Sequence, residues 1–506
     1  MTRSRVGASL VSVSAVLALS GPAGAVNWPM FGQNLANTAN AGAETIISRS
    51  NAARLKPKWI ATVGGDVSAR PAVVNGVVYV PDWGGNLQAL NAATGVTLWK
   101  HLISDYGLPA GTVVRASPAV SGGVLYVGTL TGATMLAIDA ATGALKWKAV
   151  ADTQPHAAIT GSASVAAGVI YVGVASTEEG AASFPGYQCC FFRGNVTALN
   201  AATGGILWKT YMVPPNYSGA AVWGSAPVVD AARNSVFVGT GNNYAKPTDP
   251  AYLTCVGNGG TEGGCLSPDD HVDSVLALDI TTGAVKWAKR LRDNDDWNTA
   301  CFSDMPGQGN CPVGAGPDYD FGQAPNEFHI GTMMAVGAGQ KSGIYSAFNA
   351  DTGAMIWSRQ AGPGSPDGGM MWGSATDGTR VYVSIGNSTG QTYPGGNAGS
   401  WAALDVVTGK IVWQTPDLHS AVDMAPMTVS NGVVYAGSMG ASPGWSNMLA
   451  LDATTGQVLW KYPSGGSVIA GAVVSGGVVY WGSGYSHLGP QFKGNNKFYA
   501  FSIDGK

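Results

Sequence analysis

The stretch LNAATGVTLW, from Leu90 to Trp99, decides the fold because it recurs along the chain. Each copy consists of an apolar residue, Asp or Asn, any two residues, Thr-Gly, any three residues and Trp. A motif repeated at such intervals indicates a repeat architecture. Asn91 and Gly95 suit a tight turn between two strands, and Trp99 then falls at an inward-facing position of the second strand. The later copies end at Trp147, Trp208, Trp287, Trp357, Trp413 and Trp460.

A second repeated feature lies upstream of most copies: an alternating segment such as SPAVSGGVLYVGT, residues 117–129, which predicts a strand, a Gly turn and another strand. Seven copies therefore predict seven four-stranded blades. The ends supply an eighth, because the C-terminal KFYAFSIDG lacks the Trp that LKPKWI provides at Trp59. We expect an all-β, eight-bladed β-propeller over residues 59–506, closed by the N-terminal strand and preceded by an arm over residues 26–58.

The first 25 residues have the features of a secretory signal peptide: Arg3 and Arg5, an apolar run, and Ala-Gly-Ala at 23–25. We therefore expect a periplasmic or secreted protein in which disulfides form. No later stretch is apolar enough to predict a membrane span. Only 11% of residues are charged, the net charge is −3 and Lys and Arg form no cluster, which argues against nucleic acid or an anionic membrane as partner.

The chain has six cysteines, and four of them fall in the two longest gaps between repeat tryptophans. The equal spacing of Cys255 from Cys265 and of Cys301 from Cys311 favours two local disulfides, although spacing alone does not fix their connectivity. The remaining two, in GYQCCFFRG, are adjacent. A bridge between neighbours demands a strained ring, and such strain clusters at functional sites.

The Trp-bearing repeat, closed by the N-terminal strand, resembles that of the quinoprotein alcohol dehydrogenases, propellers that hold pyrroloquinoline quinone (PQQ) and Ca²⁺ on the central axis. Within that family, WPMFGQNLANT at 28–38, CCFFRG at 189–194 and DYDFGQAPNEF at 318–328 resemble the branch that oxidises polyvinyl alcohol. The resemblance covers nearly the whole chain after residue 25.

The resemblance implies a calcium site made of oxygen ligands, the type that Ca²⁺ prefers. Glu178 in YVGVASTEE matches the family's Glu ligand, with Glu179 as the alternative, and Asn242 in VFVGTGNNY matches the Asn ligand. Asp318 is expected to belong to the same site, and PQQ oxygens would complete the shell.

The resemblance also implies the residues around the flat cofactor. Trp223, which lies outside the repeat set, matches the Trp that forms the floor under PQQ. Arg115 matches the Arg that pairs with an anionic group of PQQ, and Thr160 matches a hydroxyl donor. Related proteins carry a ring of adjacent cysteines over PQQ in a different blade, so we expect Cys189 and Cys190 to form a disulfide that sandwiches PQQ against Trp223.

For the general base, the resemblance implies an Asp after a Trp, in a motif that an insert splits here. We expect Asp318 to be the base and Asp320 its structural neighbour; the competing assignment is Asp295 or Asp296. Lys341 in GAGQKSGIYSAFNADTG matches a cation beside the base and the quinone. Such a cation would hold Asp318 ionised and stabilise negative charge on the reduced cofactor.

These assignments imply oxidation of an alcohol, most naturally a secondary or polymeric one such as polyvinyl alcohol, to a carbonyl. The sequence has no Cys-x-x-Cys-His haem motif, so the resemblance implies a separate cytochrome c as electron acceptor. Two alternatives remain open. One is a non-enzymatic scaffold similar to the outer-membrane assembly proteins that share this repeat, and the other is a degenerate quinoprotein that binds nothing.

Overall fold

The strands of the computed structural model form eight antiparallel sheets within the residues it describes, 26–224, 226–302 and 307–506. The predicted signal peptide lies outside these residues. Seven sheets have four strands, and the third blade carries one short additional strand. The predicted all-β, eight-bladed propeller is therefore confirmed.

Seven blades use strands that are consecutive in the chain, and the eighth joins the first strand to the last three. Their bounds are β1 (Leu55–Thr62), β2 (Ala72–Val74), β3 (Val77–Pro81), β4 (Asn86–Asn91), β5 (Thr97–Leu102), β6 (Ala119–Ser121), β7 (Val124–Gly128), β8 (Thr134–Asp139), β9 (Leu145–Val150), β10 (Ala157–Ala158), β11 (Ser164–Ala166), β12 (Val169–Ser176), β13 (Asn195–Asn200), β14 (Ile206–Tyr211), β15 (Val228–Asp230), β16 (Ser235–Gly239), β17 (Ser274–Asp279), β18 (Val285–Arg290), β19 (Asn326–Ile330), β20 (Met333–Gly339), β21 (Ile344–Asn349), β22 (Met355–Gln360), β23 (Ala375–Thr376), β24 (Arg380–Ile385), β25 (Ser400–Asp405), β26 (Ile411–Pro416), β27 (Thr428–Ser430), β28 (Val433–Gly437), β29 (Met448–Asp452), β30 (Val458–Tyr462), β31 (Val473–Ser475), β32 (Val478–Gly482) and β33 (Lys497–Ile503).

Short helices occupy some of the loops. The α-helices are α1 (Glu178–Ala181), α2 (Pro250–Gly257) and α3 (Glu262–Cys265), and 3₁₀ turns span Ala52–Arg54, Ile103–Tyr106, Thr299–Cys301 and Gln308–Asn310. The structure contains both expected loop disulfides, Cys255–Cys265 and Cys301–Cys311. Among the described residues, no helix has the length and apolar character needed to cross a bilayer.

The last blade joins the two ends of the chain, as the sequence predicts. Strand β1 pairs antiparallel with β33, from Leu55 opposite Ile503 to Thr62 opposite Lys497. The sheet continues through β32 to β31. Closure of this kind leaves no ring edge to pair with another chain.

The repeat motif builds the contact between one blade and the next. Asn91 accepts the N–H groups of Ala93 and Thr94 and so closes the turn before the fourth strand. Trp59 of the neighbouring blade donates its indole N–H to the Ala92 carbonyl at 3.0 Å, and a Cβ added at Gly95 would lie 2.7 Å from that indole. The other repeat tryptophans donate in the same way: Trp99 to Ala140, Trp147 to Ala201, Trp208 to Ile280, Trp287 to Ala350, Trp357 to Val406, Trp413 to Ala453 and Trp460 to Leu55. These side chains thus face the adjacent blade rather than the axis.

The N-terminal arm crosses one end of the propeller axis. The first strands of neighbouring blades contact one another and so line the axis. Arm carbonyls accept N–H groups from these strands, as when Pro29 accepts from Val120 and Ala39 accepts from Val429. Further bonds of this kind join Trp28 to Val73, Leu35 to Val229, Ala36 to Glu327 and Thr38 to Thr376. The arm therefore ties six blades together.

Candidate active site

An open cavity of about 230 Å³ lies among loops from several blades. These loops either precede a first strand or follow a second strand, and antiparallel pairing brings both positions to one end of the propeller. A concave site with a few convergent polar groups is the usual form of a small-molecule site. The polar and aromatic residues of its wall include Arg115, Thr160, Glu179, Trp223, Tyr244, Trp297, Asp318, Asp320, Lys341, Asp367, Trp372 and Tyr485.

The centre of the wall is a buried ion pair between Lys341 and Asp318. Lys341 Nζ donates to Asp318 Oδ1 at 2.7 Å and lies 3.5 Å from Asp320 Oδ2. Burial, together with repulsion from Asp320 and Glu179, raises the pKa of Asp318, and Lys341 opposes this rise. Burial disfavours the charged lysine, yet the carboxylates around it raise the pKa of Lys341. Lys341 is therefore the counter-charge of this wall.

Among the aspartates considered as the base, Asp318 lines the cavity, and Asp295 positions it. The two oxygens of Asp295 accept the backbone N–H groups of Asp318 and Tyr319 at 2.8 and 2.7 Å. Asp318 has a φ of +60°, a left-handed conformation that such bonds help to hold. Neither Asp295 nor Asp296 lines the cavity.

Asp320 connects Trp223 to the Asn242 turn. The Trp223 indole donates to Asp320 Oδ2 at 2.8 Å, and the Asn242 backbone N–H donates to Asp320 Oδ1 at 2.8 Å. Thr160 Oγ1 donates to the Trp223 carbonyl at 2.9 Å, so it fixes the loop that carries this indole. Trp223 is thus held by its own N–H and by its backbone, with its ring on the cavity.

Arg115 forms the opposite wall with aromatic side chains. Its guanidinium lies 3.8 Å from the Trp372 ring centroid and 5.7 Å from that of Tyr485. No carboxylate of the described residues lies within ion-pair distance of Arg115. Burial lowers the pKa of Arg115. A cation held in this way can bind an anionic ligand.

Known proteins match this chain along most of its length. The family model described as outer membrane protein assembly factor BamB matches residues 15–289 and 340–504. A polyvinylalcohol dehydrogenase from Sphingopyxis sp. (strain 113P3) is 34% identical over 504 residues, 90% of this chain and 73% of that protein. Another, from Pseudomonas sp., is 32% identical over 513 residues, 91% of this chain and 74% of that protein. The chain belongs to the quinoprotein alcohol dehydrogenases.

The fold of this family is also found among solved structures. The quinohemoprotein alcohol dehydrogenase ADHIIG from Pseudomonas putida HK5 superposes with a TM-score of 0.72 at 19% identity, covering 95% of this chain and 81% of that one. This likeness concerns the fold.

Of the two neighbouring glutamates, Glu179 lines the cavity and Glu178 does not, whereas the resemblance to quinoprotein alcohol dehydrogenases favours Glu178. Glu178, predicted as a metal ligand, is fully buried away from the cavity and accepts the Tyr187 hydroxyl and the N–H groups of Phe191 and Phe192. Glu179 lines the cavity instead, and its buried Oε1 accepts no hydrogen bond from the described residues. The hydrogen bonds of Glu178 are already used by its own loop, so the geometry favours the alternative, Glu179, as the glutamate of a metal site.

Asn242, the second predicted metal ligand, has an amide oxygen that no donor of the described residues reaches, but the residue does not line the cavity. Its Nδ2 donates to the carbonyls of Asn243 and Trp297 at 2.8 and 2.7 Å, which fixes the orientation of the amide. Its Oδ1 is buried and accepts no hydrogen bond within the described residues. No group of three or more His, Cys, Asp and Glu side chains in that part of the chain has the geometry of a metal site. An Asn and cofactor oxygens would have to contribute.

The adjacent cysteines form the expected disulfide but not the expected sandwich. Cys189 and Cys190 are bonded across a cis peptide, and neither lines the cavity. Asn298 Nδ2 lies 3.8 Å from Cys189 Sγ and donates to the Tyr244 carbonyl at 2.9 Å. The ring lies behind Tyr244, because its loop is held by Glu178 and Asn298. The prediction that it covers PQQ opposite Trp223 is therefore not supported.

Sequence reasoning missed the aromatic wall made by Tyr244, Trp372 and Tyr485. Trp372 lies outside the repeat set. The criterion that singled out Trp223 would therefore have found Trp372 as well. Nothing in the local sequence distinguishes Tyr244 or Tyr485 from the many core tyrosines.

Proposed function

We propose that this chain is a PQQ- and calcium-dependent alcohol dehydrogenase that oxidises a secondary alcohol to a ketone. The observation that carries the proposal is the buried pair of Asp318 and Lys341, 2.7 Å apart on the cavity wall and adjacent to the Trp223 ring. Lys341 Nζ lies 5.2 Å from that ring centroid. A base, its counter-charge and an aromatic floor meet at one point, as a hydride-transfer site requires.

The residues present fit the cofactor and the metal. Trp223 offers a flat face for a planar ring, and Arg115 and Lys341 offer cations for a tricarboxylate. Glu179 Oε1 and Asn242 Oδ1, both buried and without hydrogen-bond donors in the described residues, offer hard oxygens for Ca²⁺. When bound, PQQ and Ca²⁺ supply a hydride acceptor with a polarised carbonyl.

The chain itself moves the proton and orients the site. Asp318 takes the hydroxyl proton of the alcohol, and Lys341 compensates the charge that remains on the wall. Asp320 holds the indole of Trp223 and the Asn242 turn at once, so a single side chain fixes the floor relative to the metal ligands. The aromatic residues Tyr244, Trp297 and Trp372 limit the access of water.

The proposal includes polyvinyl alcohol or a similar polymeric alcohol as substrate, since the two relatives at 32 and 34% identity are named for it. It includes a separate cytochrome c as acceptor, because the sequence lacks a haem-attachment motif. A periplasmic or secreted location is supported by the predicted signal peptide and by three disulfides.

The experiment is a titration of purified apoprotein with PQQ, with and without Ca²⁺, followed by dye-linked oxidation of secondary alcohols. We expect tight binding that requires calcium, and an inactive Asp318→Asn variant that still binds PQQ. Absence of calcium-dependent binding would refute the proposal and favour a non-enzymatic scaffold or a degenerate quinoprotein. Full activity of Asp318→Asn would refute only the assignment of the base.

A further inference from the structure

One aromatic side chain of the cavity wall connects the cavity to the protein surface. Tyr485 lines the cavity and is only 3% exposed. Its ring meets Trp83 edge to face, with 5.7 Å between centroids. Trp83 stacks on His487 with 3.7 Å between centroids and 19° between ring planes. Tyr485 also meets His487 directly, edge to face, with 5.5 Å between centroids. The His487 side chain is 38% exposed, so ring contacts lead from the cavity to solvent both through Trp83 and directly.

Hydrogen bonds fix this stack in place. Trp83 Nε1 donates to Ser68 Oγ at 2.8 Å. The Asp66 carboxylate lies 3.5 Å from His487 Nε2 and accepts the backbone N–H groups of Ser486 and Asn495 at 2.8 and 2.7 Å. The segment that carries Tyr485 and His487 is thus anchored at both ends.

The other ring contacts of the described wall do not reach the surface. Trp297 meets Phe302 at 5.1 Å, and both line the cavity. Tyr244 meets Phe192 at 6.4 Å, and Phe192 is fully buried. The disulfide of adjacent cysteines does not line the cavity either. The contacts of Tyr485 with Trp83 and with His487 are therefore the aromatic connection from the described wall to solvent.

An exit of this kind answers a requirement of the proposed function, on which this inference rests. Oxidation of one alcohol to a ketone releases two electrons and two protons. The protons go to solvent, and the electrons must cross the protein singly to reduce two molecules of a one-electron acceptor. Electron transfer slows steeply with the gap between donor and acceptor, so closely spaced π systems favour one route over others.

We propose that Tyr485, Trp83 and His487 carry electrons from the cavity to the surface, and that Trp83 and His487 are the contact site for a soluble haem protein. The chain offers a matched control. Trp445 stacks on His419 with 4.6 Å between centroids and 11° between planes, and neither residue lines the cavity.

The kinetic test compares two acceptors on the holoenzyme: a small phenazine dye that enters the cavity, and cytochrome c, which cannot. Trp83→Leu should lower the rate of cytochrome c reduction several-fold and leave the dye-linked rate unchanged. Trp83→Phe should retain most of the cytochrome rate, and Trp445→Leu should change neither rate. An unchanged cytochrome rate in Trp83→Leu, or an equal loss with both acceptors, would overturn the proposal.

A second test needs no cofactor. Diethyl pyrocarbonate modifies exposed histidines, and mass spectrometry measures the extent of modification of each histidine in the apoprotein. Cytochrome c at low ionic strength should protect His487 several-fold and leave His419 unprotected. Equal modification of His487 with and without cytochrome c would overturn the contact site. A wild-type protein without PQQ-dependent dye-linked oxidation would instead refute the proposed function.

Discussion

Replacing Lys341 by methionine should both destabilise the protein and change its pH dependence. Lys341 Nζ lies 2.7 Å from Asp318 and 3.5 Å from Asp320, and all three side chains are buried. Methionine has a similar length but no charge, so the variant leaves two carboxylates without their cation. A buried charge that has lost its partner is costly, because neither water nor another group solvates it.

The size of the destabilisation follows from the burial of the ion pair between Lys341 and Asp318. Removing one partner of a buried ion pair typically costs about 3–5 kcal/mol. Because about 1.4 kcal/mol corresponds to a tenfold change in a protonation equilibrium, a cost of about 3 kcal/mol lowers the ionised fraction of Asp318 by about 100-fold at a pH below its pKa. The dye-linked rate should fall accordingly, since a protonated Asp318 cannot accept the hydroxyl proton. Raising the pH should recover part of it.

The assays are urea unfolding of the apoprotein and the pH profile of dye-linked oxidation. The difference in unfolding free energy between wild type and Lys341→Met should narrow at low pH, where a protonated Asp318 no longer needs a cation. Lys341→Arg should keep most of the stability. Lys209→Met, which breaks the 2.8 Å pair with Asp152 outside the cavity, should cost stability without altering the pH profile. An unchanged profile in Lys341→Met would refute the role of Lys341.

Three further predictions test the site and the fold. Glu179→Gln should abolish the calcium dependence of PQQ binding, whereas Glu178→Gln should mainly lower the melting temperature of the apoprotein; the reverse pattern would contradict the preference for Glu179 as the metal ligand. Burial, and the neighbouring Asp230, raise the pKa of Glu327 from 4.5 to about 8. The folded state therefore keeps a proton that the unfolded chain has lost, and wild-type stability falls as pH rises between these values. In thermal unfolding scans, the stability of Glu327→Gln should fall less with rising pH than that of the wild type. Equal dependence of stability on pH in the two proteins would argue against the raised pKa of Glu327. Trp223→Leu should weaken PQQ binding in the same titration, and an unchanged affinity would exclude Trp223 as the floor.

The propeller could be predicted because the repeated motif encodes the contact between one blade and the next. Gly95 leaves room for the Trp59 ring, and the turn at Asn91 exposes the carbonyl that this indole binds. The residues within each copy of the motif are separated by fixed intervals, so the seven copies, together with the two half-motifs at the chain ends, give eight blades. The sequence could not predict that the repeat tryptophans face the adjacent blade. Side chains of a strand alternate between two faces, and both faces are partly buried in a ring of blades.

The path of the N-terminal arm could not be predicted for a different reason. Its contacts are backbone hydrogen bonds to strands far along the chain, such as Ala39 to Val429. Such bonds do not depend on side-chain type, and the sequence therefore carries no pattern for them. The same holds for the approach of Asp295 to Asp318, which bridges an insert through backbone N–H groups.

Adjacent residues were the hardest to assign. Helix α1 begins at Glu178, and successive residues of a helix project about 100° apart, so a change of one residue in its start exchanges the residue that faces the cavity. The motif match cannot resolve this, since both positions are glutamate. Tyr187, Phe191 and Phe192 favour Glu179, because their donors occupy the Glu178 carboxylate and hold the loop of adjacent cysteines away from the wall. One set of hydrogen bonds therefore accounts for both departures from the expected site: it leaves Glu179 for the cavity and keeps the disulfide behind Tyr244.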